Sequence, residues 1–284
     1  MSTWRPWREA VKVGNLTTPF IWVSDKYKAV YFENPKVAST TVKSILKTHP
    51  NKLLYHLISD EHTLGEYNFA RLNTKPLGRN SYPPLVFEDK FKDYFKFGFV
   101  RNPYDRYVSA YKMCIREAGA GNRAGFTVAL GWFDKSGAKT RSGGKLRSGA
   151  RAKAKYLASK YKKHTRENFR EFFEKTIPYE TDPNKMSKAR RAAAINHHWV
   201  PQIHFVPSDR VSFDFVGRFE NFEEDFKFVL DKLGITHEGK IPKLNTTKSS
   251  KYTDYFDCIE QRNMQFFYHH YNDDFEHFNY KRSI

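Results

Sequence analysis

Tyr31-Phe-Glu-Asn-Pro-Lys-Val-Ala-Ser-Thr-Thr-Val-Lys43 reads as an aromatic strand, a short polar turn with one lysine, and the first turn of a helix. The first N–H groups of a helix have no intrahelical partner, so a lysine and hydroxyls gathered around them form a cradle for an anion. A nucleotide-binding P-loop shares this layout, but GxxxxGK[ST] needs glycines that let the backbone wrap the phosphates. Pro35 to Thr41 contains no glycine. The cradle is therefore expected to be tighter than a P-loop and to hold a smaller group.

Phe97-Gly-Phe-Val-Arg-Asn-Pro-Tyr-Asp-Arg-Tyr-Val-Ser-Ala-Tyr111 repeats the pattern of an apolar strand running into a helix. Arg101 stands at the strand end, Pro103 near the helix start, and Ser109 about two turns further on. An arginine and a serine so placed suit a second phosphate held by charge-assisted hydrogen bonds. Two anion sites on adjacent strand ends fit a nucleotide with phosphates on both its 5′ and 3′ sides. Arg106, in the same stretch, reads equally well as a ligand residue or a packing residue.

These two stretches resemble the donor-binding motifs of the sulfotransferases. Pro35-Lys-Val-Ala-Ser-Thr-Thr41 is similar to the 5′-phosphosulfate loop, and Arg101-Asn-Pro-Tyr-Asp-Arg-Tyr-Val-Ser109 to the 3′-phosphate motif. The likeness is strongest to the Golgi carbohydrate sulfotransferases that act on chondroitin, dermatan and related glycans, with the heparan 2-O-sulfotransferases more distant. It continues in the same order through Asn196-His-His-Trp199, Asp214-Phe-Val-Gly-Arg-Phe-Glu-Asn-Phe-Glu-Glu-Asp225 and Tyr271-Asn-Asp-Asp-Phe-Glu-His-Phe-Asn-Tyr280, so it spans about residues 28–281.

The resemblance implies an α/β, P-loop-like three-layer fold whose central, mainly parallel sheet is flanked by helices. It implies 3′-phosphoadenosine 5′-phosphosulfate (PAPS) as co-substrate and a carbohydrate hydroxyl as acceptor. In that scheme Pro35, Lys36, Val37, Ala38, Ser39, Thr40 and Thr41 surround the 5′-phosphosulfate, and Arg101 and Ser109 hold the 3′-phosphate. Lys36 stabilises the charge that builds on the leaving phosphate oxygen. No metal is implied, because the transferred group carries a single negative charge and the lysine can serve the leaving group. A histidine suits removal of the acceptor proton. In the resembling enzymes one precedes the 3′-phosphate motif by a few dozen residues, a placement that His62 matches best and His56 shares. His198 is a third candidate, or else a residue of the acceptor pocket. Gly217-Arg-Phe-Glu220 resembles a turn near the adenine, and Lys248 is expected near a phosphate.

Composition bounds the remaining choices. The chain has 284 residues and a formal charge of +18, which favours anionic partners. Only two cysteines are present, too few for a disulfide framework or a cysteine-based zinc site. No signal peptide and no run of about eighteen apolar residues is found, so a cytoplasmic protein without a membrane span is expected. The chain reads as a single domain over 1–284 with a basic, flexible insertion at about 135–163, where eleven Lys or Arg stand without one Asp or Glu. That insertion could grip a polyanionic glycan. The competing reading is a catalytically inactive protein that binds glycan or nucleic acid through it. No recognised nucleic-acid motif accompanies the charge, so no nucleic-acid partner is expected. Nothing in the sequence decides the oligomeric state.

The expected elements are strands at Ala29–Glu33, 52–58, Phe95–Val100 and Val211–Val216. Helices are expected at about 39–47, 87–94, 103–118, 168–176, 185–195 and 220–233, with one long C-terminal helix over Asp254–Tyr271. Residues 1–27 are expected to pack over the sheet edge.

Overall fold

The computed structural model describes residues 20–48, 68–71, 91–119, 164–179, 197–209, 211–242 and 251–284. Five strands form one sheet: β1 (Phe20–Ser24), β2 (Ala29–Glu33), β3 (Ala70–Arg71), β4 (Phe95–Val100) and β5 (Phe215–Arg218), in the order β3-β1-β2-β4-β5. β2 pairs with β4, and β4 with β5, in parallel; β1 pairs antiparallel with both β2 and β3. Four of the five strands thus point the same way. The chain has the expected α/β class, with helices packed against a mainly parallel sheet.

β2 is buried along its whole length, which explains its unbroken run of large residues. Its side chains alternate between two covered faces. On one face Tyr31, Phe97 and Phe99 pack with α1 (Ser39–Ile45) and, through Phe226, Val229 and Leu230, with α4 (Phe222–Leu233). On the other, Val30 and Phe32 meet Phe91, Tyr94 and Val211, while Val100 meets Val200, Ile203, Phe205 and Val206.

A second core, almost wholly aromatic, joins α2 (Pro103–Gly119) to α3 (Arg166–Thr176) and to the C-terminal helices. Tyr104, Tyr107 and Tyr111 recur along one face of α2 at a three- and four-residue spacing. Their rings pack against Phe169, Phe172, Tyr255, Phe256 and Phe267 at centroid distances of 5.1–6.1 Å.

Gly217 lies in register with Phe99. A Cβ there would stand 2.5 Å from Phe99 Cε1, too close for any side chain. Gly217→Ala is expected to destabilise the fold by about 1–3 kcal/mol through overpacking. An unchanged denaturant midpoint would show that the Phe99 ring can swing aside at no cost.

Three expectations change. The long C-terminal helix expected over Asp254–Tyr271 is two short ones, α5 (Thr253–Phe256) and α6 (Gln261–His270), and a further helix, α7 (Asn272–His277), follows its expected end. The chain turns extended at Glu260, after Cys258 has docked its thiol on the Arg166 and Tyr255 carbonyls. The last strand starts at Phe215 rather than Val211, because pairing with β4 begins at the Phe97–Phe215 register. Val211 is buried in a loop instead, where the apolar demand is the same. Finally, the described part of 87–94 is a turn at Phe91–Tyr94. Residues 52–58, 185–195 and the basic segment 135–163 lie outside the described residues. Of the expected N-terminal edge, Trp22 is described, and it is buried in the sheet core.

Candidate active site

β2, β4 and β5 are neighbours and parallel, so their carboxyl ends open on one edge. From that edge leave Asn34–Ala38 toward α1, Arg101–Asn102 toward α2, and Phe219–Asn221, a single 3-10 turn, toward α4. In open α/β sheets this crevice is where ligands bind.

The first loop makes its tight turn without glycine by forcing Lys36 (φ 71°) and Ala38 (φ 48°) into the left-handed region. Each such residue costs on the order of 1–3 kcal/mol and persists only where the surroundings hold it. Two arginines of the second motif do the holding. Arg106 Nε donates to the Pro35 carbonyl at 3.0 Å, and Arg101 Nη1 to the Lys36 carbonyl at 3.4 Å. Because each peptide unit is planar, a carbonyl drawn toward the arginines turns the following N–H the other way. Alternating handedness of this kind makes an anion-binding nest.

Lys36 is half-buried, and no carboxylate pairs with it among the described residues. Burial, then the positive charges of Arg116, Arg101 and Arg106 against an opposing effect of Cys114, lowers its ammonium to about 8. Arg101 lies with its Cζ 4.1 Å from the Phe219 ring centroid, and its Nε is buried with no hydrogen-bond partner. Burial lowers its guanidinium from the usual value, while Asp105 and Glu220 pull it back. Glu220 itself is engaged, accepting from the Asn102 N–H at 2.7 Å and the Tyr280 hydroxyl at 3.0 Å. The crevice therefore carries surplus positive charge and an unmet donor.

Sequence reasoning missed the scaffold beneath these cations. Gln202, in a 3-10 turn at Gln202–His204, accepts from the Arg101 N–H at 2.8 Å and donates to the Arg101 carbonyl at 2.7 Å. Its oxygen also accepts from Asn34 Nδ2 at 3.0 Å, and the same Asn34 nitrogen donates to Phe99 O at 3.0 Å. Asp274, on α7, anchors the turn by accepting from the Gln202 and Ile203 N–H groups, both at 2.9 Å. Burial raises its carboxyl to about 6, against the pull of those donors and of Arg106. The available signal was a glutamine inside the apolar run Trp199-Val-Pro-Gln-Ile203, where a buried amide has to find partners.

Other candidates fall into place unevenly. Pro35 and Val37 are buried under the loop, and Ser39 and Thr40 open α1. Thr41 is buried, and its hydroxyl donates to the Pro242 carbonyl at 3.2 Å. Ser109 is half-buried on α2, one turn beyond Asp105, whose charge acts on Arg101. Arg106 is turned to backbone carbonyls: besides Pro35 O it donates to Val200 O at 2.7 Å and to His197 O at 3.5 Å. His198 sits beside this group, with its ring centroid 3.9 Å from that of His197. Burial, followed by His197 and the charges of Lys36 and Arg106, lowers its imidazole to about 3. The turn Gly217–Glu220 comes beside Arg101 through Phe219. His56, His62 and Lys248 lie outside the described residues. Among the described residues no three His, Cys, Asp or Glu gather as a metal site requires, and no helix is long and apolar enough to cross a membrane.

Comparison with known proteins agrees with this geometry. Residues 19–281 match the sulfotransferase family. Carbohydrate sulfotransferase 11 of Mus musculus is 27% identical over 266 residues, covering 91% of this chain and 66% of that protein. Carbohydrate sulfotransferase 10 of Mus musculus is 25% identical over 267 residues, covering 92% and 67%. Carbohydrate sulfotransferase 14 of Danio rerio is 25% identical over 228 residues, covering 80% and 51%. The chain thus spans about two thirds of the length of the first two relatives. No solved structure matches it. With nearly all of the chain inside the matched region, and the strand ends that carry Lys36 and Arg101 within it, the protein belongs to the sulfotransferase family.

Proposed function

We propose that this chain is a single sulfotransferase unit that moves the sulfuryl group of PAPS to a hydroxyl of a carbohydrate. The observation that carries this reading is the pair of cations on adjacent strand ends, Lys36 without a carboxylate partner among the described residues and Arg101 with a buried, unmet Nε. A nucleotide with phosphates on both sides meets both needs.

PAPS supplies a sulfuryl group already activated on a phosphate leaving group. The protein's work is positioning and electrostatic stabilisation, as in phosphoryl transfer. The Lys36 loop and the start of α1 receive the 5′ side, with Lys36 as the cation at the developing charge. Arg101 and Ser109 receive the 3′-phosphate, and Phe219 holds the guanidinium flat from behind. His62 takes the acceptor proton. Burial and the neighbouring charges of Lys36 and Arg106 disfavour the protonated form of His198, which supports assigning it to the acceptor side rather than to proton removal. The basic segment 135–163 recruits an anionic glycan.

Two measurements test the reading. Calorimetric titration with 3′-phosphoadenosine 5′-phosphate (PAP) is expected to show binding far tighter than AMP, and sulfur-labelled PAPS is expected to mark one member of a panel of desulfated glycans. A folded protein that ignores PAP sinks the reading. His62→Ala is expected to abolish transfer while sparing PAP affinity, and His198→Ala to raise the acceptor KM. The reverse pattern would make His198 the base.

A further inference from the structure

Arg106 lies between Arg101 and Ser109, yet the proposed chemistry uses only those two. It is 1% exposed, and no carboxylate pairs with it among the described residues. Its three donor contacts all go to backbone carbonyls: Pro35 at 3.0 Å, Val200 at 2.7 Å and His197 at 3.5 Å. A buried guanidinium is costly unless its donors are met, and here three backbone carbonyls meet them. Packing alone does not explain the charge.

The identity of the three carbonyls does. Pro35 O belongs to the peptide bond that leads into Lys36, so its direction sets the direction of the Lys36 N–H. The His197 and Val200 carbonyls bracket His198. One rigid, planar fork therefore spans the donor loop and the segment on the acceptor side, which come from opposite halves of the chain. The segment does not depend on Arg106 for its place. Gln202 ties it to the end of β4, and the Tyr271 hydroxyl donates to the Trp199 carbonyl. Asn34, at the start of the loop, already reaches Gln202 at 3.0 Å; what Arg106 adds is a link from the peptide bond into Lys36 to the carbonyls on either side of His198.

We propose that Arg106 is a positioning residue that couples the Lys36 loop to the His197–Gln202 segment, so that nucleotide binding at the loop orders the acceptor side. This rests on the donor-site reading above. It assigns Arg106 no contact with substrate.

Hydrogen exchange read by mass spectrometry tests it without an acceptor. In the wild-type protein, PAP at about ten times its Kd is expected to slow exchange about tenfold in peptides covering 34–41, and to slow 197–202 with them. Arg106→Lys keeps the charge but replaces the fork with a point donor that cannot span three carbonyls. In that variant PAP affinity is expected to fall as the loop loosens; with PAP raised to about ten times the variant's own Kd, protection at 34–41 is expected to remain while protection at 197–202 disappears. Protection at both segments in Arg106→Lys overturns the coupling role. So does wild-type protection confined to 34–41, a result that stands even if the variant fails to fold. Wild-type protein that binds no PAP defeats the donor-site reading itself, and the coupling with it.

Discussion

Lys36→Ala is expected to lower turnover by about 10²- to 10³-fold, the usual loss when one preorganised group facing developing charge is removed. The effect should fall mainly on kcat. Lys36 meets its strongest demand where charge gathers on the leaving oxygen, whereas ground-state affinity is shared with Arg101 and the loop amides. The lowered ammonium adds a signature in pH. Below about 8 Lys36 carries its charge, and above it the charge is lost, so wild-type PAP affinity is expected to decline as pH rises through that value. Bound anion favours the charged lysine, which moves the decline somewhat higher. In Lys36→Ala the affinity should be weaker and flat over the same interval. Wild-type turnover in Lys36→Ala would remove the residue from the leaving-group role, whatever the binding data say.

Arg101→Ala is expected to weaken PAP binding about 100-fold. Two charge-assisted hydrogen bonds to a phosphate are together worth about 3 kcal/mol, which converts to that factor. The variant also loses the donation to the Lys36 carbonyl at 3.4 Å and the cation–π contact with Phe219 at 4.1 Å. Part of the loss therefore reaches the first loop. Arg101→Lys is the informative companion: it keeps the charge, loses the fork, and should recover only a fraction of the affinity. AMP separates the two contributions. Its affinity should fall much less than that of PAP, because AMP has no 3′-phosphate for Arg101 to hold. An equal fall for both nucleotides would place Arg101 in loop support instead of 3′-phosphate recognition.

The two strand–loop–helix junctions were readable because their signals are local. An apolar run before Asn34 and another before Arg101 announce buried parallel strands, and Ser39 and Pro103 announce helix starts. The strand Ala29–Glu33 and the helix from Pro103 lie where pattern and capping put them. The C-terminal region was less legible. Thr253–Phe256 and Gln261–His270 read as one helix, and the break between them comes where Cys258 docks its thiol on the Arg166 carbonyl and the chain turns extended at Glu260. Val211 shows the same limit, since burial in a loop and burial in a strand demand the same apolar residue.

From its sequence alone this chain determined an α/β sheet and two strand–loop–helix junctions that carry Lys36 and Arg101 at neighbouring strand ends. Those features rest on contacts within a few residues of one another, where composition and spacing constrain the backbone directly. Tertiary structure decided how the two ends become one site. Left-handed backbone at Lys36 and Ala38, which no glycine foretold, is held in place by arginines about seventy residues away. Gln202 and Asp274 fix the Arg101 backbone from still further along the chain. A buried polar group must be satisfied, but its type does not say by whom; only the packed fold brings the partners within hydrogen-bond distance.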